Sequence, residues 1–351
     1  IYSKWRFIVN VILHCFSKRP FQTEMFFFKE VAEVFKELLN KSDAAYVHTV
    51  RLAKYFENIS PKSREKILLD YNDAISMHYL NGWKYYPFIF KLAIFIEGKK
   101  LNFYEGEILK ILNNFSIVSE IDRNFILKNK ISDNISSNFY ITYTSVKINQ
   151  EFYQNNALNS FDEDLNSNFY FIGNLKYYPN YDGINYFCKN IWPKIIEKFP
   201  NLKFYIIGSK NKKLVKKFKN YPGLVFTGFI DNPNEIIAKS LAFISPVRIG
   251  AGIQGKVLES MGYGKVVIST STGTEGIDGL KDKENILICQ PNKAEKWIEL
   301  ISLLLQDKDL RKKLEINAAA TIRKNFTVDK VGDKYFEIFE KIITENQLYF
   351  I

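Results

Sequence analysis

Short apolar runs alternate along this chain with longer stretches of helical period. The short runs are β-branched or aromatic and close on Gly, Pro, Asn or Asp, which reads as strands ending in turns. Residues 44–50, 65–70, 115–120 and 139–145 are such runs in the first half. Residues 169–172, 204–208, 224–227, 241–246, 265–270 and 286–289 are such runs in the second. Between them lie helical segments. Residues 1–40 read as two helices broken at Arg19–Pro20, the second carrying Phe26, Phe27, Val31, Val34, Phe35 and Leu38 at helical spacing. Ser60–Pro61 reads as a break in the helix after the first strand, and residues 85–110 as a long aromatic helix broken at Gly98. The stretch 328–347 is amphipathic, with Val331, Tyr335, Ile338, Phe339, Ile342 and Ile343 on one stripe.

Strand and helix alternating in this way predict parallel, doubly wound sheets, hence an α/β fold. At 351 residues the chain is too long for one ordinary core and suits two domains. Residues 156–168 are polar and aperiodic. The predicted organisation is therefore residues 1–157 as one domain, a linker at 158–168, residues 169–330 as a second domain, and residues 331–351 as a helix docking back on the first. The first residue is isoleucine and the opening reads as helix, not as the first strand of a nucleotide-binding domain. The N-terminal domain is accordingly expected to be incomplete.

The stretch 241–277, LAFISPVRIGAGIQGKVLESMGYGKVVISTSTGTEGI, concentrates the candidate chemistry. It reads as strand, turn with Gly250, Gly252 and Gly255, short helix over 256–263, strand, and a second glycine turn. Gly264 stands where a left-handed residue would end the helix. A turn of this kind aims backbone N–H groups near Gln254 to Val257 at its occupant, and the helix dipole favours an anion there. Arg248 and Lys256 add full positive charges. Glu259, three residues after Lys256, shares its helix face. A carboxylate repels phosphate but accepts from sugar hydroxyls, so the group as a whole suits a diphosphate attached to ribose. Gly250–Gly255 also matches G-x-G-x-x-G, a weak signal on its own; the turn belongs to a late unit and is followed by a lysine, which ranks a dinucleotide-dependent dehydrogenase below the phosphosugar reading.

At these residues the chain resembles GT-B fold glycosyltransferases of the GT4 type, the glycosyl transferases group 1 superfamily. PVRIGAGIQGKVLESMGYGKVVIS is similar to the branch whose segment runs P-x-R-x-G-x-G-x-x-x-K-x-L-E-x-M. Other runs match as well: Asp70, Asp73, Ser76 and Tyr79 as D-x-x-D-x-x-S-x-x-Y, Val118 to Arg123 as V-S-E-x-D-R, and Pro179–Asp182 as P-N-x-D. The resemblance runs from about Asp70 to the C-terminus and is strongest over 169–277. It implies two Rossmann-like domains facing a cleft and transfer of a sugar from a nucleotide diphosphate sugar to a hydroxyl of a glycan or lipid-linked acceptor. Retention of anomeric configuration and a place in polysaccharide or glycoconjugate biosynthesis are implied with it. Lys256, Arg248 and Glu259 are then the catalytic candidates. Gly250, Gly252, Ile253, Gln254, Gly255, Gly173, Asn174 and Glu275 are the nucleotide-binding candidates. Familiar members carry a first glutamate eight residues before Glu259; here Ala251 stands there. A GT-B-shaped protein that binds nucleotide sugar without turnover, and a sugar-nucleotide 2-epimerase, are the alternative readings.

Lysine and arginine number 49 against 38 acids, a formal net charge of +11. That excess suits phosphorylated substrates or an anionic membrane surface as readily as it suits mere solubility, and no motif points to nucleic acid. The three cysteines, Cys15, Cys188 and Cys289, lack metal-ligand spacing and fit a cytoplasmic setting. The Trp5–Phe16 stretch, flanked by Lys4, Arg6, Lys18 and Arg19, is too short to cross a membrane but suits peripheral contact with its cytoplasmic face, against a plain domain helix as the more ordinary reading. His48 ends a strand, whereas His14 and His78 sit in helical stretches; no Ser–His–Asp arrangement is evident. Asp162–Asp164 and Asp307–Asp309 match D-x-D but do not close apolar strands. No metal and no cofactor beyond the nucleotide sugar co-substrate are expected.

Overall fold

A computed structural model describes residues 17–128, 137–147, 168–209, 211–250 and 252–348. The Trp5–Phe16 stretch, Cys15, His14, Asp162–Asp164, Ala251 and nearly all of the polar 156–168 run lie outside the described residues. The chain divides into two units, Ile1–Tyr143 with Val331–Ile351, and Thr144–Lys330.

Unit 1 holds a four-stranded parallel sheet: β1 (Ala45–His48), β2 (Ile67–Asp70), β3 (Asn114–Ile117) and β4 (Asn138–Ile141), in that spatial order. All four residues of β2 are buried, as a strand covered on both faces must be. On one face Tyr71, Phe115 and Phe139 stack, with ring centroids 5.2–5.9 Å apart. On the other, Ile338 and Ile342 of the last helix, Val328–Leu348, pack against Leu68. Tyr335 Oη donates to Thr142 Oγ1 at 3.1 Å beside them.

Three local expectations come out differently. The helix Phe88–Ile108 runs straight through Gly98. A Cβ at Gly98 would lie 3.0 Å from Tyr79 Cβ, so the glycine serves the close pass of helix Ile75–Gly82 and not a break. Ser60 and Pro61 start a helix, Pro61–Arg64: Ser60 Oγ accepts from Ser63 N and proline occupies the first turn, where its missing N–H costs nothing. The helix Lys29–Lys41 begins after Phe26 and Phe27, and Val31, Val34 and Leu38 face solvent. Its inward side is Leu39 and Phe35, the latter against Tyr55 and Phe56.

Unit 2 holds a six-stranded parallel sheet: β5 (Asn168–Ile172), β6 (Lys203–Ile207), β7 (Leu224–Gly228), β8 (Ser240–Ser245), β9 (Val266–Thr270) and β10 (Leu287–Cys289). Their order is β10-β9-β8-β5-β6-β7. The chain winds outward from β5 through β6 to β7, then returns to lay β8 on the other side of β5. The strand order therefore reverses between β5 and β8. Phe169, Phe171, Phe187, Trp192, Phe204, Phe243 and Trp297 fill the core, with Phe187 edge-on to Trp297 at 5.0 Å. At the ends of the unit Val146 bridges Thr327, and Val146 N donates to the Phe326 carbonyl at 2.7 Å.

Candidate functional site

In open α/β sheets a ligand binds past the carboxyl ends of the strands, where the strand order reverses. In unit 2 that point is the β5–β8 pair. After β5 comes the turn Gly173–Asn174; after β8 comes Pro246 to Gln254, leading into helix Gly255–Gly262. Both sequence-predicted turns thus flank one place.

Glycines bring the backbones close enough. Gly208, after β6, has φ +135°, and a Cβ there would stand 2.0 Å from the Gly173 carbonyl. Gly183 lies in helix Tyr178–Asn190, and a Cβ there would stand 2.6 Å from the Pro246 carbonyl. That contact seats the start of the helix, with Asn180 and Asp182, against the turn after β8. Gly252 has φ +64° and Gly264 φ +71°, left-handed values that glycine adopts without strain. Gly264 N then returns to the Met261 carbonyl and closes the helix.

The side chains of the site are tied across these turns. Asn180 Nδ2 donates to the Asn174 carbonyl at 3.0 Å, and Asn180 Oδ1 accepts from Lys256 Nζ. Lys256 also lies over the Phe171 ring, 5.4 Å from its centroid. Desolvation pulls the Lys256 ammonium down from its usual range to about 8, only partly offset by the Glu259 charge. Its hydrogen-bond partner is a neutral amide. Glu259 is exposed, and partial burial of its carboxyl raises its pKa against the pull of Lys256. Gln254 caps helix Gly255–Gly262 without a side-chain bond, and Val257 N donates to the Gln254 carbonyl at 2.9 Å, so Gly255 N and Lys256 N are the first-turn candidates to meet an anion. Ile253, Gln254 and Gly255 are half-buried at this helix start, and a Cβ at Gly255 would meet nothing within 4 Å.

Arg248 is placed differently from the expectation of a free phosphate ligand. Its Nε and Nη2 donate to both carboxylate oxygens of buried Asp182, at 2.9 and 2.7 Å, and its guanidinium stacks 4.0 Å from the Tyr186 ring centre. Two-pronged pairing of this kind holds the arginine plane fixed. Asp182 and Asn180 are the residues that sequence reasoning left without a role. The P-N-x-D run was the signal, but their partners lie 66 and 76 positions away. Glu275 follows the short helix Ser271–Thr274 at the carboxyl end of β9. The structure brings Lys256, Asn180 and Asn174 into one chain of contacts, and Arg248 into a second with Asp182.

Unit 1 has its own polar cluster at the ends of β1 and β2. Buried Asp70 accepts from Tyr46 Oη at 2.6 Å, Ser116 Oγ at 3.0 Å and Asn72 N at 3.1 Å, and lies 3.0 Å from His48 Nδ1. Asp122 accepts from Ala74 N, and Glu105 from Ser76 N and Oγ, so these acids close the start of helix Ile75–Gly82. Burial raises Asp73 to about 6 and Glu105 to about 8. Among the described residues no three His, Cys, Asp or Glu side chains converge as metal ligands.

Residues 166–307 match the family described as Glycosyl transferases group 1. Over 304 residues the chain is 25% identical to a 44.6 kDa protein in the cps region of Klebsiella pneumoniae, covering 84% of this chain and 72% of that one. Over 271 residues it is 27% identical to a glycosyltransferase of Methanocaldococcus jannaschii, covering 72% of this chain and 66% of that one. Among solved structures it is similar to sucrose-phosphate synthase from Thermosynechococcus elongatus, at TM-score 0.67 and 13% identity over 90% of this chain and 78% of that one. It is also similar to Anabaena HepE in complex with UDP and glucose, at TM-score 0.60 and 11% identity over 89% and 81%. The structural likeness shows the fold, which is GT-B.

Proposed function

We propose that this chain, whose residues 166–307 match the family described as Glycosyl transferases group 1, is a glycosyltransferase and that unit 2 holds the nucleoside diphosphate of a sugar donor between the turns after β5 and β8. Lys256 and the N–H groups at the start of helix Gly255–Gly262 meet the diphosphate. Glu259 accepts from the ribose hydroxyls. Gly255, where a Cβ would meet nothing within 4 Å, leaves room for the ligand to approach backbone; Gly250 and Gly252 carry the turn past it, Gly173 packs against Phe171 and Asn180, and Glu275 borders the sugar. Asp182 holds Arg248 through Nε and Nη2, so the part of Arg248 is to fix the turn and to keep a positive charge beside the diphosphate. The observation that carries this reading is Lys256, a partly buried cation paired with an amide, at the point where the strand order reverses.

The donor's sugar then passes to a hydroxyl of a glycan or lipid-linked acceptor. With retention, the acceptor oxygen bonds to the anomeric carbon on the face from which the diphosphate leaves, and the departing phosphate oxygen takes the hydroxyl proton. No separate base is needed in that scheme, and Lys256 with the helix start offsets the leaving charge without a metal ion. UDP was bound in the Anabaena HepE structure, which favours a uridine donor. The cps-region relative favours polysaccharide assembly, in the cytoplasm where nucleotide sugars are made. The test is turnover on a panel of UDP-, GDP-, ADP- and TDP-sugars, with and without hydroxyl acceptors and with EDTA. Nucleoside diphosphate release that depends on acceptor, survives EDTA and gives a retained anomer by NMR supports the reading. Binding without release, or release of 2-epimerised sugar with no acceptor, rejects it.

A further inference from the structure

The first turns of helix Phe88–Ile108 are apolar and stand out in solvent. Phe88 is 88% exposed, Ile89 78% and Leu92 69%, with Phe90 and Ile96 also exposed. Apolar side chains scattered singly over a surface need no explanation; a contiguous patch with a polar rim marks a contact site. Here the rim is cationic. Lys84 and Lys99 are exposed, and Lys91 and Lys100 are partly so. The one acid of the stretch, Glu97, is turned to other use: its carboxylate accepts from Phe21 N at 2.9 Å and Gln22 N at 3.1 Å. Trp83, Tyr85 and Tyr86 lead into the helix, rings of the kind that settle at a membrane–water boundary. Beside the patch lies a largely apolar groove of about 760 Å³, walled by Phe21, Met25, Tyr79, Tyr86, Phe90 and Ile94.

We infer that this end of the helix docks on an anionic lipid bilayer, with Phe88, Ile89 and Leu92 entering the boundary between headgroups and acyl chains. The lysines meet headgroup phosphates while their stems lie along the apolar side chains. The groove opens beside the inserted tip and offers a slot to one acyl chain. Two observations favour a bilayer over a protein partner. Exposure at positions 88, 89, 90, 92 and 93 runs around the helix and not along one stripe, which suits a fluid surround; a protein groove reads a single face. A second copy of this chain would set the same lysines against each other in a two-fold contact. None of the described helices is long and apolar enough to cross a membrane.

The inference rests on this surface alone and is independent of the donor site. Flotation of the full chain with phosphatidylcholine vesicles, with and without 30% phosphatidylglycerol, tests it. Binding to the anionic vesicles is expected, weakened at high salt and by roughly fivefold for each of Lys84→Gln and Lys99→Gln, the order of one juxtamembrane lysine. The combined variant Phe88→Asp, Ile89→Asp, Leu92→Asp should bind anionic vesicles at least about 100-fold more weakly, because burying three such side chains supplies most of the apolar attraction. Its melting temperature and its nucleotide binding should match the parent, since these side chains are already in solvent. No binding of the parent to anionic vesicles, or binding of the triple variant at parent strength, overturns the inference. So does a parent dimer that the triple variant loses, which would make the patch a protein contact.

Discussion

Replacing Lys256 by alanine should weaken nucleoside diphosphate binding about ten- to a hundredfold, the worth of one charge-assisted hydrogen bond at roughly 1.5–3 kcal/mol. The structure adds a pH signature that a generic charge would lack. Burial has lowered Lys256 from 10.5 to about 8. A shift of that size corresponds to about 3 kcal/mol. In the free protein this is a cost of holding the ammonium charged; it is present in full below pH 8 and is relieved as pH rises through 8 toward 10.5, where the unfolded chain still binds the proton and the folded one has released it. A bound diphosphate supplies the missing opposite charge and draws the pKa back up. Above pH 8 binding must therefore take up a proton, and affinity must fall with pH, at most tenfold per unit. Phosphate ionisation is complete there and does not interfere, its second pKa being near 6. Titration calorimetry with UDP or GDP at pH 8.5, repeated in buffers of different ionisation enthalpy, counts that proton. The parent should take up a substantial fraction of one proton and Lys256→Ala none. Equal affinity of parent and variant, or no proton uptake by the parent, would refute the reasoning.

Three further outcomes follow from the same geometry. Asp182→Asn should destabilise unit 2 by about 1–3 kcal/mol in urea unfolding, because it removes the carboxylate that accepts two hydrogen bonds from the half-buried Arg248 guanidinium. Gly208→Ala should cost more than about 3 kcal/mol or prevent folding, since both its φ and the Gly173 carbonyl oppose a Cβ; parental stability would show that the turns after β5 and β6 do not meet as described. Glu259→Gln should weaken UDP or GDP binding while inorganic pyrophosphate binds as well as or better than to the parent, and calorimetry with both ligands separates the two effects.

The strand–turn–helix over 241–264 was legible because each step has a local cause. Apolar runs, glycines at left-handed positions and the helix after Gly255 all follow from neighbours in sequence, and the helix end was expected within a residue of where it lies. What the residues do with their charges was not local. Arg248 looks like a phosphate ligand in sequence and is spent on Asp182; Lys256 looks free and is steered by Asn180. Both partners come from one helix start seated by Gly183, and nothing near 248–256 in sequence announces it. Gly98 misled for a related reason. A glycine in a helical pattern has two physical uses, a break or a close pass, and only the neighbouring helix decides between them. The stripe on Lys29–Lys41 has the right period, but Val31, Val34 and Leu38 point outward and only Phe35 turns in, because period gives an element and not its partner.

The ends of unit 2 meet. Val146 and Phe326 are joined by a backbone hydrogen bond, so the chain leaves unit 1 and returns to it through one doorway. A segment with its two ends clasped is a cassette: it can be cut out at 144 and 330 without leaving a loose strand, or exchanged for the equivalent segment of a relative. Under the function proposed above, donor preference should travel with the cassette.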